Sequence, residues 1–82
     1  MEILKNPTTI KLLSRQVIIA CDGYLSLKLS EQKLRELLLY YATNHGNKLF
    51  RGPDLNPTIL NRIGKKRAEL VQRTLTGFQI RL

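Results

Sequence analysis

The sequence is poor in the residues that most often build catalytic or metal centres. Among its 82 residues there is one Cys, one His and no Trp. A single cysteine forms no internal disulfide, and one Cys with one His supplies no metal-ligand spacing. Acidic residues are also scarce, with six Asp and Glu against fourteen Lys and Arg. Long apolar runs are missing. Uncharged apolar stretches such as Val17 to Cys21 are far short of the roughly 20 residues that span a bilayer, so no membrane partner is expected. The first residues, Met1-Glu2-Ile3-Leu4-Lys5, show no signal-peptide organisation, and with the lone cysteine they point to a reducing cytoplasm.

What is present is charge and leucine. The formal net charge is +8. Residues 1–43 hold six basic and four acidic groups, whereas 44–82 hold eight and two. This asymmetry suits a polyanionic partner, nucleic acid before anything else; a basic, merely solvated surface accounts for it about as well. At 43% hydrophobic residues the composition is that of a globular chain with a mainly aliphatic core. Its length suits a single domain spanning 1–82, with stability on the order of 4–12 kcal/mol. So small a domain leaves room for a homo-oligomer.

Local signals divide the chain into helices. Asn6-Pro7 reads as an N-cap followed by proline at the first helical position. Ile10, Leu13, Val17 and Cys21 then recur at spacings of three and four, and Asp22-Gly23 reads as a stop. Leu25, Leu27 and Leu29 alternate with polar residues like a short extended segment. Ser30 opens a second helix with Glu31 in its first turn, a Leu29/Leu34 staple and a stripe of Leu34, Leu37, Leu38 and Tyr41. Asn44-His45-Gly46-Asn47 ends it. Leu49 and Phe50 pin the next loop to the core, and Arg51-Gly52-Pro53-Asp54 makes a turn. Asn56-Pro57 repeats the cap-and-proline device, with Leu55 and Leu60 as its staple.

The expected fold is mainly α: a small bundle of three to four helices near 7–22, 30–44 and 57–76, the last bent or broken at Gly64. A short two-stranded pairing of the N- and C-terminal segments, Ile3-Leu4 with Phe78 to Leu82, is compatible with it. The expected core is Ile10, Leu13, Val17, Leu34, Leu37, Leu38, Tyr41, Leu60, Val71 and Leu75. A helix continuous through Gly64 would align Leu60, Gly64, Ala68, Val71 and Leu75 on one face. Arg62, Lys66 and Arg73 would line the other, with Lys65–Glu69 and Glu69–Arg73 as pairs four apart.

Residues 60–71 carry the strongest functional signal. Gly64 followed by Lys65-Lys66-Arg67 at a helix start offers a phosphate unpaired amides, a partial positive charge and two or three cations. This stretch resembles the second half of a helix-hairpin-helix motif, a DNA-backbone binding unit whose loop reads Leu-Pro-Gly-Ile-Gly before basic residues and an Ala. Leu60, Ile63, Gly64 and Ala68 match it; Arg62 stands where the first glycine belongs, and Asn61 replaces the proline. The resemblance implies that backbone amides after Gly64 approach a phosphate. The candidate nucleic-acid contacts are Arg62, Gly64, Lys65, Lys66, Arg67 and Arg73.

The Ser-Glu-Gln-Lys-Leu helix start, the Asn-Lys-Leu-Phe loop and the Gly-Lys-Lys-Arg helix, in that order, are similar to a family of short uncharacterised proteins from Gram-positive bacteria and their phages. That resemblance implies a small helical intracellular protein and no particular activity.

No catalytic constellation emerges, no cofactor is implied, and an enzyme is not expected. His45 lies in a turn, Cys21 on an apolar stripe, and Asp22 and Asp54 beside turn formers. Glu31 and Glu36 do not share a helix face. Tyr24, Tyr40 and Tyr41 are candidates for stacking on bases, although a place in the core suits Tyr41 better and one at its rim suits Tyr40. Two functions follow: a nucleic-acid binding module of weak sequence preference, DNA or RNA, or an interaction adaptor, such as a phage or host regulator, whose basic helix meets an acidic protein surface.

Overall fold

The computed structural model describes residues 6–52 and 54–75. Helix α1 spans Ile10–Leu25, α2 Glu31–Asn44, the single-turn α3 Gly46–Leu49, α4 Pro57–Ile63 and α5 Lys65–Thr74. Strands β1 (Phe50–Arg51) and β2 (Asp54–Leu55) form a small antiparallel ribbon, pairing Phe50 with Leu55 and Arg51 with Asp54. The protein is thus mainly helical, as its cap signals and apolar spacing require. The suggested pairing of the two chain termini lies outside the described residues.

Helix α1 is the centre of the bundle. It packs most extensively on α4 and also meets α2, α3 and α5. Leu13, Val17, Ala20 and Cys21 turn one face of α1 fully inward, meeting Leu34, Leu38 and Tyr41 of α2 and Ile59, Ile63, Ala68 and Val71 of α4 and α5 in a single core. Leu49 is fully buried and Phe50 packs against the core, so the loop after α2 is anchored as expected. Ile10 and Leu37, expected inside, are half-buried at the rim.

Two of the expected helix starts hold. Ser30 Oγ accepts the Lys33 N–H at 3.1 Å, and Asn56 Oδ1 accepts the Thr58 N–H at 2.9 Å ahead of Pro57. The first helix starts later than expected. Thr9 is its cap, its Oγ1 accepting the Leu12 N–H at 3.0 Å. Asn6 Oδ1 instead accepts the Tyr40 hydroxyl at 3.0 Å, and Pro7 is buried. A tertiary partner has drawn the more conspicuous capping residue away from the helix.

Nor does α1 stop at Asp22-Gly23. The Asp22 carboxylate is taken by Arg67 rather than folding back onto local backbone, and the helix continues to Leu25. There it ends in a Schellman turn: Lys28 N–H donates to Gly23 O at 2.8 Å and Leu27 N–H to Tyr24 O at 3.1 Å. The alternating leucines that suggested an extended segment are therefore a helix end and its cap. Leu29 packs on the core, while Leu25 and Leu27 are 65% and 92% exposed.

The phase of α4 also differs from expectation. Ile59 and Ile63 are buried, and Leu60 is 38% exposed. Of the expected Leu55/Leu60 staple, Leu55 is buried while Leu60 lies outside the core. The chain breaks at Gly64, so the α5 face of Ala68, Val71 and Leu75 cannot be extended backwards at helical spacing.

Two stability experiments follow. Leu38, fully buried at the middle of α2, should cost about 2–5 kcal/mol when truncated to Ala, read from the shift in a urea midpoint. Leu27 occupies the left-handed cap position at φ 66°, where a Cβ is unfavourable and glycine is preferred. Because Leu27 buries almost nothing, Leu27→Gly should raise stability by about 1 kcal/mol; a lower midpoint would show that the leucine makes contacts worth more than its strain.

Candidate nucleic-acid interface

The junction between α4 and α5 is a single residue. Gly64 sits at φ 87°, ψ 162°, a region of backbone space that is essentially reserved for glycine. Its N–H closes α4 on Leu60 O at 3.0 Å, and its carbonyl accepts the Ala68 N–H at 3.0 Å to start α5. One glycine ends one helix and begins the next, which resolves the question of bend or break in favour of a break.

The start of α5 is unlike those of α1, α2 and α4. Thr9, Ser30 and Asn56 each supply a side-chain oxygen to an orphan amide. No side chain caps α5, and the first amide to bond back is that of Ala68. The amides of Lys65, Lys66 and Arg67 therefore stand at the positive end of a ten-residue helix without a side-chain cap. A Cβ placed on Gly64 would meet nothing within 4 Å, so the glycine is not there to avoid a clash. Asp22, Leu25, Ile63, Gly64, Lys65 and Lys66, with Arg67, line a shallow recess of about 340 Å³ there.

Arg67 has another task. Its Nε and Nη2 donate to Asp22 Oδ1 and Oδ2 at 2.9 and 3.0 Å, and its Nη1 donates to Ile63 O at 3.0 Å. The fork clamps α5 to α1 and caps the last carbonyl of α4, where a cation is favoured. Hydrogen bonding to Asp22 pushes the Arg67 pKa further above its ordinary value. Of the expected contacts, Arg67 is thus the one already satisfied inside the protein.

The remaining candidates separate. Gly64, Lys65 and Lys66 come together at the recess. Arg62 borders a neighbouring groove beside Lys11 and Arg15 of α1. Arg73 lies with Tyr24, Glu31 and Arg35 between α5 and α2. The basic stripe of Arg62, Lys66 and Arg73 that a helix continuous through Gly64 would have made does not form, because the break at Gly64 resets the helical phase. The Lys65–Glu69 and Glu69–Arg73 pairs of that continuous helix are also missing; the ion pairs among the described residues are Lys33–Glu36 and Arg67–Asp22. Lys65 and Lys66 are exposed and have no carboxylate partner among the described residues. Lys11 and Arg15, passed over in the sequence because they lie 47 or more positions before Arg62, enter only through the packing of α1 on α4.

The residues with nucleophilic or acid–base chemistry sit elsewhere or are silenced. Burial pushes the Cys21 thiol up to about 11, with Arg67 opposing and Asp22 adding to the shift, so at neutral pH it is a protonated core group. Burial, with Tyr40 beside it, raises Tyr41 to about 12. His45 Nε2 lies 3.4 Å from Asn6 Oδ1, with the rings of Tyr40 and Tyr41 about it. Among the described residues no three His, Cys, Asp or Glu side chains gather as metal ligands, and no helix is long and apolar enough to cross a membrane.

Residues 4–76 match the model of a family described as conserved hypothetical protein, and the chain belongs to that family. No curated protein and no solved structure matches it.

The conformation of Gly64 can be tested apart from any ligand. Although the space beside it is empty, Gly64→Ala should destabilise the protein by about 1–3 kcal/mol, since the cost lies in φ and not in a clash. Thermal or urea denaturation checks this; an unchanged midpoint would mean that the junction relaxes freely.

Proposed function

We propose that this protein binds nucleic acid through phosphate contacts at the start of α5, with little sequence preference. The reading rests chiefly on one observation: the α5 N-terminus lacks a side-chain cap and opens beside two exposed lysines that have no carboxylate partner among the described residues. A phosphate oxygen placed there would accept from backbone amides, lie at the positive helix end and face Lys65 and Lys66. The Arg67 fork contributes by fixing the elbow, so the amides are oriented before a ligand arrives. Arg62 adds a further cation, whereas Arg73 faces another side of the bundle and is left out of the interface. Four of the residues that match the helix-hairpin-helix pattern, Leu60, Ile63, Gly64 and Ala68, surround this junction. The site performs no chemistry on its ligand. It is a binding module acting in the cytoplasm, with no cofactor.

A second reading keeps the same surface and changes the partner. Leu25 is exposed and lines the recess with the lysines, and a mixed apolar and basic patch suits an acidic protein segment. On that reading the protein is an adaptor, such as a phage or host regulator.

Titration of labelled duplex DNA, single-stranded DNA and RNA at low and moderate salt separates the two. Nucleic-acid binding predicts steep salt dependence, and Lys65→Gln with Lys66→Gln should shrink the log–log salt slope by about 2 on every sequence alike. Absence of binding at low salt to all three would leave the acidic-protein reading in its place.

A further inference from the structure

Positions 11, 15, 18, 22 and 25 recur every three or four residues and form one stripe along α1. The recess at Gly64 occupies the Asp22–Leu25 end of that stripe. A second groove of about 360 Å³ occupies the other end, lined by Lys11, Leu12, Ser14, Arg15, Ile18 and Arg62. The residues Arg62 and Ile63, adjacent in α4, border one groove each. The two depressions therefore lie end to end between α1 and the α4–α5 elbow, along roughly 21 Å of helix.

This trough is cationic throughout. Lys11, Arg15 and Arg62 are exposed, and among the described residues none has a carboxylate within ion-pair distance. Among the described residues no acid lines the groove they share. Three unneutralised cations around one depression repel one another, a cost that a bound anion would offset. At the far end the one acid, Asp22, is already held by Arg67. A small anion can occupy one depression; a linear polyanion can occupy both.

The trough lining also bears on which polyanion. Among the described residues its apolar lining, Leu12, Ile18, Leu25 and Ile63, is entirely aliphatic. Single-strand binders generally stack bases on aromatic side chains, and Tyr24 lies instead in the groove with Arg73. A duplex keeps its bases stacked inside and presents phosphates outward, which is what cations over an aliphatic floor can engage. Building on the phosphate-binding reading of Gly64, we infer that Lys11 and Arg15 extend the same track along α1, and that the ligand is double-stranded nucleic acid.

The test compares two charge-matched double variants by anisotropy titration of a short duplex, and of its separated strand, across a salt series. Lys11→Gln/Arg15→Gln removes two cations from the trough. Lys33→Gln/Arg35→Gln removes two from exposed positions of α2. Circular dichroism verifies that each is folded. The trough variant should lower the salt slope on duplex by about 2 and weaken binding on the order of tenfold to a hundredfold at 0.1 M salt, while the α2 variant keeps the wild-type slope. The wild-type protein should also prefer duplex to single strand. If the two variants behave alike, or if the single strand is preferred, the inference falls while the Gly64 site stands. If the wild-type protein binds neither form, the phosphate reading falls with it.

Discussion

The backbone of Gly64 is the constraint on which the rest of the elbow depends. At φ 87° and ψ 162° it takes a conformation that other residues reach only under strain, and it turns a potential single helix into two. That break turns Ile59 and Ile63 inward on α4 and Ala68 and Val71 inward on α5, faces that no continuous helix would align. It also creates a helix start in the middle of a helical region. A helix start carries orphan amides, and here neither a side-chain cap nor a glycine Cβ stands in front of them.

Electrostatics around the elbow is divided by task. Arg67 spends its fork on Asp22 and on the last carbonyl of α4, so a residue in the most basic segment acts as a brace. A partly exposed pair of this kind contributes only about 0.2–1 kcal/mol to stability. Its larger effect is to fix the direction of α5 relative to α1. With the local carboxylate thus occupied, Lys65 and Lys66 have no ion-pair partner among the described residues, and across α4 neither do Arg62, Lys11 and Arg15. The positive charge of the chain is therefore not a uniform coat. Much of it is gathered along one side of α1, while Arg73 and Arg35 sit near Glu31 on another.

What the sequence made legible was what local bonds decide. Ser30 and Asn56 cap their helices because nothing distant competes for their oxygens. Leu34, Leu38 and Tyr41 fall on one face because α2 is unbroken. The break at Gly64 was readable as a glycine inside a helical pattern, but its consequence for Leu60 was not, since a periodicity read across a break carries the wrong phase. Asn6 and Asp22 failed as local signals for one shared reason: Tyr40 and Arg67, 34 and 45 positions away, took their side chains. At the site, Gly64, Lys65 and Lys66 were legible as a contiguous run. Their separation from Arg73, the engagement of Arg67 and the approach of Lys11 and Arg15 to Arg62 all depend on how α1 packs on α4 and α5, which no short window contains.

The account stands or falls on whether the bare amides of α5 receive a phosphate. Isotope-labelled protein titrated with a short duplex reports this residue by residue through amide chemical shifts. The structure leads to shifts that appear first, and saturate together, at the amides of Lys65, Lys66 and Arg67, with the Gly64 amide moving beside them. Shifts confined to the α2 side around Glu31, Arg35 and Arg73, with the α5 amides unmoved, would contradict it.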